Sequence, residues 1–167
     1  MKLLIHDLDE REFHNLFPQI GEDITVIADN SAIHPCIGCF GCWIKTPGIC
    51  VIKDGYQELG KMLSGCDEMI VISKCLYGGF SPFVKNVLDR GIAYIHPYFT
   101  RRNGEMHHRR RYDTQVRWTV FFYGEDISQD ERKTAEKLVP ANGVNFNAKE
   151  SSVRFYKHYG EIGGDFQ

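Results

Sequence analysis

Four cysteines fall between residues 36 and 50, in the run Cys36-Ile37-Gly38-Cys39-Phe40-Gly41-Cys42 followed by Cys50. Three thiolates spaced by three can converge on one cluster, and a distant fourth can close a tetrahedral set. A four-cysteine zinc site uses the same ligand type. Gly38, Gly41 and Gly48 supply the backbone freedom that such a wrap needs. A second chemistry fits the same residues: packed or redox-active thiols, with Ile37, Phe40, Trp43 and Ile44 making the loop an apolar lid or a dimer contact. Two cysteines stand apart. Cys66 reads as a small buried residue. Cys75 lies beside Lys74, whose ammonium would favour a thiolate, so it is a redox candidate.

The other concentrated chemistry is charge. Arg101-Arg102 and His107-His108-Arg109-Arg110-Arg111 make a local basic segment. Such a run is most often a solvated loop. It could also supply positive charge to a phosphorylated ligand, from the same chain or from a partner subunit. Near the N-terminus, Asp7, Asp9 and Glu10 place three carboxylates directly after the first apolar run.

The elements that must position these residues follow from periodicity and punctuation. Lys2 to His6 predicts a short buried strand. Asp7 and Asp9 cap a short helix carrying Phe13, Leu16 and Phe17 on one face. Ile24 to Ala28 is a second strand, and the cysteine loop follows from Pro35 to about Val51. Tyr56 to Leu63 predicts a helix. Met69 to Ser73 is an unbroken apolar run, as expected for a strand covered on both faces. Ser81-Pro82 opens the clearest helix, with Ser as cap and Pro at the first position. Its stripe is Val84, Val87, Leu88 and Ile92, with Lys85, Asn86, Asp89 and Arg90 expected to face away. Residues 96–115 read as a surface excursion. Val116 to Tyr123 is a fourth strand of the main sheet. Ser128 to Glu131 is a capping box for a helix to about Leu138. Ser151 to Tyr156 is the fifth strand, and the glycine-rich tail leaves a final helix short or absent. Strands alternating with helices imply right-handed parallel crossovers, hence an α/β, doubly wound, flavodoxin-like sheet of order 2-1-3-4-5 over one domain, 1–167. Ligands in such sheets bind at the carboxyl ends of the strands.

The run Ser73 to Arg90, SKCLYGGFSPFVKNVLDR, resembles the strand-three loop and following helix of the NAD(P)H-dependent FMN reductase family. The family pattern is roughly TPxYxGxxSxxxKxxxDR, matched here at Ser73, Gly78, Ser81, Lys85, Asp89 and Arg90. The resemblance implies that Leu76, Tyr77, Gly78, Gly79 and Ser81 line a flavin pocket, faced by Tyr123, Gly124 and Glu125 after the next strand. The cysteine spacing resembles the cluster motif of iron-sulfur flavoproteins, which implies a [4Fe–4S] cluster on Cys36, Cys39, Cys42 and Cys50. The chain departs from the family after its first strand. A glycine- and serine-rich loop there holds the FMN phosphate in the relatives, at a helix N-terminus. Here the segment is His6-Asp7-Leu8-Asp9-Glu10, whose carboxylates compete for the amides and repel a phosphate.

The function implied is a flavin-dependent oxidoreductase with FMN and NAD(P)H, working as a homo-oligomer on a small redox substrate or an electron-transfer partner. Two alternatives stay open: a partner or binding subunit that has lost FMN, and an iron–sulfur electron-transfer protein. A net charge of −2 argues against a general attraction to nucleic acid. No apolar run approaches a membrane span. The N-terminus turns acidic too early for a signal peptide, so a cytoplasmic location is expected. In a reducing compartment six cysteines point to metal or redox chemistry rather than disulfides.

Overall fold

The computed structural model describes residues 1–166. Its main sheet contains β1 (Lys2–His6), β2 (Ile24–Ile27), β3 (Glu68–Lys74), β6 (Val116–Tyr123) and β7 (Ala148–Tyr156) in the order β2-β1-β3-β6-β7. All four pairings are parallel. This is the flavodoxin-like arrangement expected from the alternation of strands and helices. The central strands are buried on both faces. Leu3, Ile5, Met69 and Val71 pack to one side, and Leu4, Ile70, Ile72 and Phe121 to the other. That double burial is why their sequences carry no polar alternation.

Helices α3 (Leu59–Ser64), α4 (Pro82–Arg90) and α5 (Gln129–Asn145) contribute to the larger core with Leu59, Val84, Val87, Ala135 and Val139. Helix α1 (Glu10–Leu16) covers the opposite face with the closing 3-10 helix Tyr159–Phe166, through Phe13, Leu16 and Ile162. The short final element agrees with the glycine-rich tail. Ser81 caps α4 with Pro82 at its start, and Ser128 with Glu131 forms the capping box of α5.

Three local expectations change. Helix α5 runs on to Asn145 through Pro140, because Pro140 lies on the exposed side while Ala135, Val139 and Gly143 share the buried stripe. The segment read as a surface excursion contains an antiparallel hairpin, β4 (Ile95–Arg102) and β5 (Glu105–Arg110). Arg102 pins it by donating to the Val144 and His108 carbonyls at 3.0 and 2.8 Å. Arg90 does not face away. It is buried on the same helical stripe as Phe83 and Val87, seven and three residues earlier. No helix among the described residues is long and apolar enough to cross a membrane.

Candidate functional site

Arg90 organises the cysteine loop from below. Its guanidinium donates to Asp54 Oδ2 at 2.6 Å and Oδ1 at 2.9 Å. It also donates to the His34 carbonyl at 2.7 Å and the Ile52 carbonyl at 3.2 Å. One side chain thus ties the chain before Cys36 to the chain after Cys50. Asp54 completes the latch by accepting from the His34 and Tyr56 amides at 2.9 and 3.1 Å. Both charged groups are almost fully buried. Hydrogen bonding from Arg90 holds the Asp54 carboxyl far below the usual carboxylate range. Inside the loop, the short helix α2 (Gly41–Ile44) is anchored by Trp43, whose indole donates to the Ile95 carbonyl at 2.9 Å.

Cys36, Cys39, Cys42 and Cys50 line one cavity of about 290 Å³ with Arg90. They do not form a metal site. Among the described residues no group of three or more His, Cys, Asp or Glu side chains is placed to hold a metal ion. The expected [4Fe–4S] cluster, and the zinc alternative, are therefore corrected. The local reason is α2. A left-handed Phe40 (φ 57°) starts it, and it turns Cys42 into the interior while Cys36 and Cys39 stay exposed. Burial and then the neighbouring cysteines push the Cys42 thiol up. All six cysteines are free. Burial also raises Cys75, and pushes Cys66 up to about 11. The activation of Cys75 expected from Lys74 is thus corrected too. Cys36 and Cys39 should react rapidly with Ellman's reagent in the native protein, and Cys42, Cys66 and Cys75 only on unfolding. Rapid native modification of all six would contradict this placement.

The second centre lies at the carboxyl ends of β1, β3 and β6. Asp7, the residue after β1, is half-buried there. Its carboxylate accepts from the Lys74 amide at 2.8 Å and from the Tyr123 hydroxyl at 3.1 Å. Burial raises the Asp7 carboxyl, and bonds from Ser81, Lys74 and Tyr123 oppose that rise. Tyr123 is raised strongly, first by burial and then by the Asp7 charge. Beside it, His6 is buried and stacks flat on Phe13 with ring centroids 4.1 Å apart. Among the described residues, neither ring nitrogen of His6 has a hydrogen-bond partner. Burial pushes its pKa down to about 4.

The expected flavin-loop residues divide into two groups. Leu76, Tyr77, Gly78 and Gly79 form a tight turn closed by paired backbone bonds between Leu76 and Gly79 at 3.0 and 2.9 Å. Tyr77 (φ 53°) is almost wholly exposed at its tip. Gly78 (φ +79°) packs so closely on α5 that an added Cβ would lie 2.6 Å from the Glu131 carbonyl oxygen. Gly78→Ala combines left-handed strain with a backbone clash and should cost about 2–3 kcal/mol. Thermal unfolding reads this, and a cost below about 0.5 kcal/mol would contradict the packing. Ser81 is buried below the turn, its amide donating to Ser73 Oγ at 2.9 Å. In the second group, Tyr123, Gly124 and Glu125 line an open cavity of about 470 Å³ with Lys74, Cys75 and Tyr159.

Sequence reasoning missed Arg90 and Asp54. The helical spacing 83-87-90 contained the signal for Arg90. Asp54 reads in sequence only as turn punctuation before Gly55.

The comparisons with known proteins agree with this fold. No family model matches the chain. Over 81 residues it is 33% identical to an iron-sulfur flavoprotein of Methanocaldococcus jannaschii, a match spanning 48% of this chain and 41% of that protein. The chain therefore matches less than half the length of that relative. Among solved structures it is similar to an FMN-dependent NADH-azoreductase from Bacillus anthracis, in complex with FMN. That likeness has a TM-score of 0.57 at 9% identity over 92% of this chain and 85% of the other. It is also similar to the Trp repressor binding protein of Bacillus subtilis, with a TM-score of 0.54 at 13% identity over 100% and 94%. General stress protein 14 of Treponema denticola, in complex with FMN, gives 0.54 at 11% over 98% and 90%. These likenesses establish a flavodoxin-like α/β fold.

Proposed function

We propose that the chain is a flavin-dependent oxidoreductase that moves electrons from a reduced nicotinamide, through a flavin, to a small acceptor. The observation that carries this reading is the open cavity at the carboxyl ends of β3, β6 and β7, walled by Tyr123, Gly124 and Glu125. Carboxyl ends of strands are where this sheet type receives ligands. The flavin supplies the hydride and electron chemistry when bound. The chain supplies the walls: Lys74 and Cys75 at the end of β3 on one side and the loop after Tyr123 on the other. Exposed Ile37, Phe40 and Ile44 on the cysteine loop, with Tyr98, Phe99 and Met106 on the hairpin, support assembly with a second copy.

One specific observation favours a second reading, a partner subunit without flavin. Asp7 already fills its place between β3 and β6 with bonds to the chain itself. Steady-state oxidation of NADH or NADPH separates the two readings. An oxidoreductase raises the rate above that of free flavin only when flavin and protein are both present. A rate equal to that of free flavin would sink the first reading.

A further inference from the structure

We propose that the flavin taken by this site is one without a phosphate, of the riboflavin class, and that Asp7 with its acidic neighbours is the device that rejects FMN. The inference rests on the flavin reading above. Three independent features of the chain support it.

First, the Asp7 carboxylate takes the donors that converge after β1. The Lys74 amide and the Tyr123 hydroxyl point at its two oxygens at 2.8 and 3.1 Å. A phosphate reaching this point meets an anion that already holds the donors.

Second, two of the amides at the start of α1 are already taken by side chains of the chain itself. Asp9 Oδ1 accepts from the Glu12 amide at 2.7 Å, and Glu12 Oε2 accepts from the Asp9 amide at 3.0 Å. This reciprocal box occupies donors that an anion at a helix start would use. Glu10, exposed in the same first turn, adds another negative charge.

Third, the cavity itself is negative. Its lining sets Glu12, Glu125, Asp126 and Glu131 against Lys74 and Lys157. A dianionic phosphate is repelled here. The neutral ribityl chain and isoalloxazine of riboflavin carry no charge to repel, and their hydroxyls and carbonyls can bond to polar walls. The cavity volume lies within the range of small-ligand sites.

The test titrates the purified full-length chain with riboflavin and with FMN, following flavin fluorescence. Riboflavin should bind about tenfold or more tightly than FMN, and the gap should narrow as salt is raised. Asp7→Asn should reduce the FMN-to-riboflavin ratio of dissociation constants severalfold. Glu10→Gln, an exposed change that leaves the Asp7 bonds intact, should reduce it in the same direction. FMN binding as tightly as riboflavin, or more so, would overturn the inference and leave the flavin reading standing. Binding of neither flavin would overturn both.

Discussion

Asp54→Ala should cost about 3–5 kcal/mol of stability, because it leaves the buried Arg90 guanidinium without its carboxylate. The change should appear as a lower urea midpoint with little change in slope. Arg90→Met should be costly for the converse reason, since Asp54 would then be the uncompensated charge. The double variant should recover part of the loss, because an apolar group of similar volume replaces the pair. Arg90 also bonds the carbonyls of His34 and Ile52, on either side of the cysteine loop. Either single variant should therefore make Cys42 and Cys50 react faster with thiol reagents, beyond what global unfolding explains. Single variants within about 1 kcal/mol of the parent would show that the latch is a surface-like pair.

Acid should destabilise the protein before its carboxylates titrate, and His6 should be the main cause. Its folded pKa is about 4, below an ordinary histidine value of 6.5. Below 6.5 the unfolded chain binds a proton that the folded chain does not. Stability is therefore full above pH 6.5 and falls with pH, by about 3 kcal/mol on reaching pH 4. Asp54 acts in the same direction but lower, its contribution being lost only as pH falls below the ordinary carboxylate range. Asp7 acts oppositely, because its carboxyl is raised: its ionisation costs stability as pH rises. His6→Leu isolates the histidine. The ring has no hydrogen-bond partner within reach among the described residues and stacks on Phe13, so an apolar replacement strands no strongly held partner. The variant should lose most of the slope of unfolding free energy between pH 6.5 and 4. An unchanged slope would mean that His6 is not the group that titrates.

The two parts of the molecule differ in how legible they are in sequence. The sheet order is readable because each strand is announced locally. Met69–Val71 carries an apolar run without alternation, and Ser81-Pro82 and Ser128–Glu131 mark helix starts with capping chemistry that survives in the structure. Capping depends on neighbours in the chain, so sequence reports it well. The latch depends on Asp54 and Arg90, which are 36 residues apart, and no local pattern joins them. Arg90 misleads further because charge in a helix is expected to face water. Its position three residues after Val87 was the better guide.

The cysteines show the opposite failure. Their spacing resembles a cluster motif, but spacing fixes only which thiols can meet. The helical turn at Gly41–Ile44 decides which ones do, and it separates buried Cys42 from exposed Cys36 and Cys39. The acidic segment after β1 was legible as charge. Its bonds to Lys74 and Tyr123, across 67 and 116 residues, were not. Those bonds turn an apparent absence of a phosphate loop into a built feature of the site.

The central claim is that the carboxyl ends of β3 and β6 hold a flavin for redox work. Its most direct test is the visible spectrum of the protein, incubated with riboflavin without oxygen, passed through a desalting column, and then mixed with NADH or NADPH. A flavin absorption band should travel with the protein and bleach when the nicotinamide is added. Protein that leaves the column colourless after this treatment with riboflavin and, in a parallel sample, with FMN would contradict the claim.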